Sequence, residues 1–194
     1  LAIKNKLSDE IIKLLITDNN KDIQDKYKYL TPLHTPLHLA IENKLSDEII
    51  KLLITENNKD IQDKDRYTPL YFAIINELSD EIIKLLISDK NKDIQDKDGR
   101  TPLYIAMVTN NELSKKIIEL LITDKNKDIQ TKYGYTPLHA AIRYKLSDEI
   151  IKLLITYRNK YMKTKTYRMI PFKLTPLDLA KKNKLSDEII QLLR

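Results

Sequence analysis

Thr35-Pro36-Leu37-His38-Leu39-Ala40 decides the fold, because the same hexad returns as T-P-L-Y-F-A from Thr68, T-P-L-Y-I-A from Thr101, T-P-L-H-A-A from Thr136 and T-P-L-D-L-A from Thr175. The first two intervals are 33 residues and the next two are 35 and 39. Self-similarity at a fixed period of this size is the mark of a stacked repeat architecture, and it takes precedence over any local signal. Each hexad is a helix start. The Thr hydroxyl can cap free backbone N–H groups, and Pro at the first helical position loses no needed donor and presets φ.

Working outward from Thr35, a first helix runs to about Asn43, and a second begins at Leu45-Ser46-Asp47-Glu48. Ser46 is the expected cap of the second helix, and its two acids sit at the positive end of the helix dipole. The pattern recurs at Ser8, Ser79, Ser147 and Ser186. The second helix reads I-I-K-L-L-I, apolar all round except at its lysine. At about ten residues such a helix is unstable alone in water, so its apolar surface calls for neighbours on both flanks. Polar linkers follow, N-K-D-I-Q-D-K at 20–26, 58–64 and 91–97 and N-K-D-I-Q-T-K at 126–132, and read as turn-rich projections with an Ile at the base. The residues just before Thr-Pro differ between units: D-R-Y at 65–67, D-G-R at 98–100 and Y-G-Y at 133–135.

These residues resemble the ankyrin repeat, whose units of about 33 residues carry T-P-L-H-x-A at the start of the first helix. The resemblance covers six units, approximately 1–26 (partial), 27–64, 65–97, 98–132, 133–165 and 166–194 (partial), and implies an all-α solenoid of helix-turn-helix units with projecting hairpin-like loops. It also implies a non-catalytic protein-binding platform that uses loop tips and the exposed side of the first helix. Two departures stand out. The family's Gly-His before the second helix is replaced by forms of K-L-S, and the turn glycine remains only at Gly99 and Gly134. Lys28 and Arg66 occupy the matching tip positions, where a left-handed backbone costs a side chain about 1 kcal/mol unless the tip is built differently.

Composition excludes several functions. There is no Cys, which removes disulfides, thiolate catalysis and cysteine metal sites and fits a reducing, intracellular compartment. Two glycines cannot build a P-loop or a G-x-G-x-x-G turn. No apolar run approaches the roughly 20 residues of a membrane span. No cofactor or metal is called for. His38 and His139 fall in the slot that the resemblance gives to a hydrogen bond with the Thr hydroxyl, and Tyr71, Tyr104 and Asp178 replace them elsewhere. The repeated Asp-Glu pairs read as partners of the helix dipole rather than as paired catalytic carboxylates.

The formal charge of +6 is concentrated in one place. Residues 1–156 carry 24 Lys and Arg against 25 Asp and Glu, whereas residues 157–174 carry six cations and no acid. This enlarged linker, Y-R-N-K-Y-M-K-T-K-T-Y-R-M-I-P-F-K-L, runs six residues longer than its counterparts and has Met162 in place of Ile. Alternating basic and aromatic residues can bind single-stranded nucleic acid or dock an acidic protein surface. The candidate partner-binding residues are Tyr27, Lys28, Tyr29, Arg66, Tyr67, Arg100, Tyr133 and Tyr135 at the tips, Arg143 and Tyr144 at the end of a first helix, and Lys160, Lys163, Lys165 and Arg168 in the insert. Tyr and Arg are common anchors of protein interfaces. The expected function is a binding module for a protein partner, with nucleic-acid binding through 157–174 or recruitment of substrate to a larger enzyme as alternatives. The chain is expected to be monomeric or a piece of a longer array, because it opens on Leu1-Ala2-Ile3, in step with Leu39-Ala40-Ile41.

Overall fold

The computed structural model describes residues 8–23, 34–109, 113, 115–166 and 173–194. The eleven α-helices among them are short, ten of them forming five pairs after α1, and no strand occurs among the described residues. The chain resolves into two compact units, Leu1–Asp96 and Lys97–Arg194, whose boundary falls between two repeats.

In the first unit, α1 (Asp9–Leu15), α3 (Asp47–Leu53) and α5 (Asp80–Leu86) are second helices, and α2 (Pro36–Glu42) and α4 (Pro69–Ile75) are first helices. α2 packs on α4, α1 on α3, and α3 on α5. In the second unit, α6 (Pro102–Val108), α8 (Pro137–Arg143) and α10 (Pro176–Asn183) form the row of first helices, and α7 (Lys115–Leu121), α9 (Asp148–Leu154) and α11 (Asp187–Leu192) the row of second helices. Within each unit the helices of a row pack on one another, which is how helices of seven residues survive. Flanking decides burial: Ile49 and Leu53 of α3 are fully buried, whereas Ile11 and Leu15 at the same positions of α1 are 45% and 51% exposed.

All five Thr caps form. Thr35, Thr68, Thr101, Thr136 and Thr175 each accept a hydrogen bond from the N–H three residues on, with Pro at the first helical position. The second helices are capped less uniformly than the sequence suggests. Among the described residues only Ser79 and Ser186 accept from their own helix, while Ser46, Ser79 and Ser186 all donate across repeats, to Asp9, to Asp47 at 2.7 Å and to Asp148 at 2.6 Å. The Asp of the acidic pair therefore ties one repeat to the next. Its neighbouring Glu does likewise on the surface: Glu81 pairs with Lys51 and Glu188 with Lys152.

The second helix ends after seven residues, sooner than its apolar run suggests, because the linker Asn intercepts it. The Nδ2 groups of Asn58, Asn91, Asn126 and Asn159 donate to the carbonyls of Leu53, Leu86, Leu121 and Leu154 at 2.7–2.8 Å, and all four residues are fully buried. Asn58, Asn91 and Asn159 also donate to the preceding linker, at Lys21, Lys59 and Lys127. The linker is thus anchored by its Asn more than by its Ile, which is half-buried at 61, 94 and 129.

The lost Gly-His turn is rebuilt with side chains. Lys44, Glu77, Lys145 and Lys184 adopt φ of 50°, 58°, 55° and 56° at the end of the first helix. Each closes a paired hairpin of hydrogen bonds, such as Leu45 N–H to Ala40 C=O at 3.0 Å and Lys44 N–H to Ile41 C=O at 3.1 Å. This is the Schellman geometry that usually takes glycine.

Candidate protein-binding surface

The loops before Thr-Pro are hairpins with a buried hinge residue at the base. Asp63 N–H donates to Tyr67 C=O at 2.9 Å, and Tyr67 N–H returns to Asp63 Oδ1 at 2.8 Å. Thr131 and Tyr135 repeat this exchange, as do Thr164 and Leu174. The base of the enlarged linker therefore keeps the usual register, with its six additional residues falling in sequence between Thr164 and Leu174. Burial pushes the Asp63 carboxyl up, but the His34 imidazole and the N–H groups of Tyr67 and Asp65 outweigh it and hold Asp63 below the usual range.

Hairpins stack edge to edge within the second unit. Lys132 N–H donates to Asp98 C=O, and Lys165 N–H to Tyr133 C=O, both at 2.8 Å. The close approach explains the two glycines. Gly99 and Gly134 have φ of +76° and +81°, and a Cβ on Gly134 would lie 2.7 Å from the Lys165 nitrogen. Arg66 takes the same left-handed turn at φ 67°, so the tip is built in the glycine conformation without glycine.

The candidate residues divide into groups. Arg66 is exposed at its tip, with its carbonyl bonded by Gln62 at 3.1 Å. Tyr67 is not at the tip. It lies on the returning side of the hairpin with its ring stacked 4.0 Å from Tyr71 and edge-on to Phe72 at 5.7 Å. His34 holds the equivalent position one repeat earlier and stacks on His38 at 5.4 Å, with Glu42 and Asp63 each 3.4 Å from its ring nitrogens. No group of three residues suited to a metal ion exists among the described residues. Both capping histidines are structural: His38 and His139 Nδ1 lie 2.8 Å from Oγ1 of Thr35 and Thr136. Burial first of all pushes each imidazole down to about 4.

In the second unit Arg100 is half-buried and pairs with Asp98 at 3.5 Å, and Lys132 also binds Asp98. The Lys132 ammonium holds the Asp98 carboxyl below its usual range. Tyr133 is half-buried beneath Lys132, whose Nζ is 5.1 Å from the ring centre. Tyr135 is only 8% exposed. Its ring meets His139 edge-on, and its hydroxyl accepts from Arg143 Nη1 at 3.3 Å. It positions Arg143 more than it offers surface of its own. Arg143 and Tyr144 are exposed. Tyr104, read from sequence only as filling the His slot, joins this group: burial and the nearby Tyr144 and Tyr135 phenols push it up to about 12, against the opposing pull of Arg100 and Arg143.

The described residues of the basic insert fall into two groups. Lys160 and Tyr161 sit on the short 3₁₀ turn after α9, with exposed Tyr157 just before it; Lys160 Nζ is 5.0 Å from the Tyr161 ring, and Tyr161 reaches Arg194 C=O. Lys163 and Lys165 are exposed on the hairpin, beside Gln130 and Tyr133. Tyr27, Lys28, Tyr29 and Arg168 lie outside the described residues.

A family profile described as ankyrin repeats (3 copies) matches residues 1–91, 78–166 and 107–194, which together span the sequence. The chain belongs to the ankyrin repeat family. Ankyrin repeats generally mediate protein–protein interaction and are typically non-catalytic, and the all-α helix pairs of this ankyrin protein agree with that fold. A search of curated proteins found no significant match. No helix among the described residues is long and apolar enough to cross a membrane.

Proposed function

We propose that this ankyrin array is a protein-binding module whose contact residues are the hairpin tips and the last turn of the first helices. One observation carries the reading: the recurring Thr, Ser, Asp and Asn side chains are consumed by the frame, whereas several positions that vary between repeats, Arg66, Arg143 and Tyr144 among them, are exposed. Thr, Ser, Asp and Asn at fixed positions cap helices or join neighbouring repeats. Arg66, Lys132, Arg143, Tyr144, Lys163 and Lys165 are exposed, with Tyr67, Arg100 and Tyr133 half-buried beside them. Short helices joined by buried hydrogen bonds make a preformed platform, so little ordering entropy opposes association. The tyrosines and arginines supply rigid, amphipathic contact area.

The test is site-directed photocrosslinking. A benzoyl-phenylalanine placed at Tyr133 or Tyr144 should capture a protein partner, whereas the same probe at Tyr157, on the turn after α9, should not. Equal capture from all three positions would remove the assignment of this surface.

A further inference from the structure

Tyr144 occupies a position that the other repeats use for the frame. There, Asn43 Nδ2 donates to Leu39 C=O at 2.8 Å, Asn76 to Ile41 C=O at 3.4 Å, Thr109 Oγ1 to Ile105 C=O at 3.1 Å and Asn183 to Ile142 C=O at 2.8 Å. Tyr144 makes no such bond among the described residues and leaves its ring 43% exposed. A repeat that gives up a backbone-binding side chain for an exposed aromatic one has used that position for something other than folding.

Its neighbour breaks the pattern as well. Arg143 stands where other repeats have Glu42, Ile75, Val108 and Lys182. The guanidinium is held from one side, by the Tyr135 hydroxyl at 3.3 Å and by the Tyr135 ring with Cζ 5.9 Å from its centre. The side chain is exposed, and the Tyr135 hydroxyl takes up one N–H of the fork. Such a pre-oriented fork suits a carboxylate, which it can grip through two parallel hydrogen bonds. The acids on this side of the unit do not compete for it. Asp98 is engaged by Lys132 and Arg100, and Asp178 accepts from the Thr175 N–H and hydroxyl at 2.8 and 2.7 Å. Lys181 and Lys182, exposed on the next first helix, extend the positive edge.

We propose that the rim formed by Arg143, Tyr144 and Tyr135, beside Tyr104 and Arg100, receives an acidic, extended segment of a protein partner. One Asp or Glu carboxylate of that segment binds the Arg143 fork, and an adjacent apolar side chain lies on the Tyr144 ring. The proposal rests on the protein-binding reading above and names its partner's chemistry. A protein segment fits better than a nucleic acid for one reason: among the described residues, the insert's cations are split between the turn holding Lys160 and the hairpin holding Lys163 and Lys165, so these form no continuous phosphate track.

The test pans a random dodecapeptide display library in parallel on the whole chain and on its R143Q and Y144N variants. Asn is the residue of three sister repeats at this position, so Y144N should fold as well as the parent. The expected enriched peptides carry at least two Asp or Glu beside an aliphatic or aromatic residue. Resynthesised, they should bind about tenfold more weakly to R143Q and about three- to tenfold more weakly to Y144N. Enriched peptides without acids, or with affinities unchanged by both substitutions, would overturn the acidic partner while leaving the crosslinking result above to stand. Absence of any enriched peptide would overturn the extended-segment form of the contact. A single-stranded DNA dodecamer binding more tightly than the peptides at physiological salt would overturn the choice of partner.

Discussion

Replacing Gly134 with Ala should destabilise the second unit more than the same change at Gly99, and the structure sets the ranking. Both residues hold a left-handed turn, at φ +81° and +76°, which costs an L side chain about 1–2 kcal/mol. The difference lies in what the new Cβ meets. At Gly134 it would lie 2.7 Å from Lys165 N, 3.0 Å from Thr164 Cα and 3.1 Å from Lys163 C=O, all backbone of the next hairpin. At Gly99 the nearest atoms are at 3.2, 3.3 and 3.4 Å. The first arrangement cannot be relieved by rotating a side chain. The hairpins must part, which adds an overpacking cost of about 1–3 kcal/mol and weakens the bond from Lys165 N–H to Tyr133 C=O. Gly134→Ala should therefore cost about 2–5 kcal/mol in total and Gly99→Ala about 1–2 kcal/mol. Urea unfolding followed by circular dichroism measures both. Equal losses, or a larger loss at Gly99, would refute the stacked-hairpin reasoning.

The same geometry supports three further predictions. Gly in place of Lys44, Glu77, Lys145 or Lys184 should raise stability by up to about 1 kcal/mol per site, seen as a higher urea midpoint, because these residues hold left-handed helix caps with L side chains. Asn159→Ala should cost about 2–4 kcal/mol, since it strips a buried donor from the Leu154 and Lys127 carbonyls and a buried acceptor from the Thr156 N–H; a loss below 1 kcal/mol by urea titration would contradict the ladder role. His139 binds no proton in the folded chain until about pH 4, whereas the unfolded chain protonates it near pH 6.5, so stability should fall as pH drops through that window, by about 3 kcal/mol for this residue. Urea midpoints at pH 7.5, 5.5 and 4.5 should show this decline for the parent and a shallower one for His139→Asn.

Much of the frame was legible because its signals are local. Thr-Pro fixes a helix start from two adjacent residues, and all five starts hold. What escaped the sequence depends on partners a whole repeat away. Ser46 and Asp9 look like a cap and a dipole charge until the stack brings them together. The linker Asn looks like a polar turn residue until the preceding linker offers its carbonyl. The insert's length was plain in the sequence, but its division into a turn and a hairpin followed from the bond between Thr164 and Leu174, ten residues apart. Among the candidate contacts, residue type marked Tyr67 and Tyr135 as surface. It could not show that their rings lie back on Tyr71 and against His139, because that requires the hairpin's return path.

The central claim is that the frame and the contact surface are separate sets of residues. It is tested most directly by measuring stability and partner affinity together in one variant with Arg66, Arg100, Tyr133, Arg143 and Tyr144 changed to Ala. The account predicts a partner affinity at least about tenfold weaker, as expected when several interface anchors are lost, with a urea midpoint close to that of the parent. A midpoint that falls sharply, or an affinity that does not change, would contradict it.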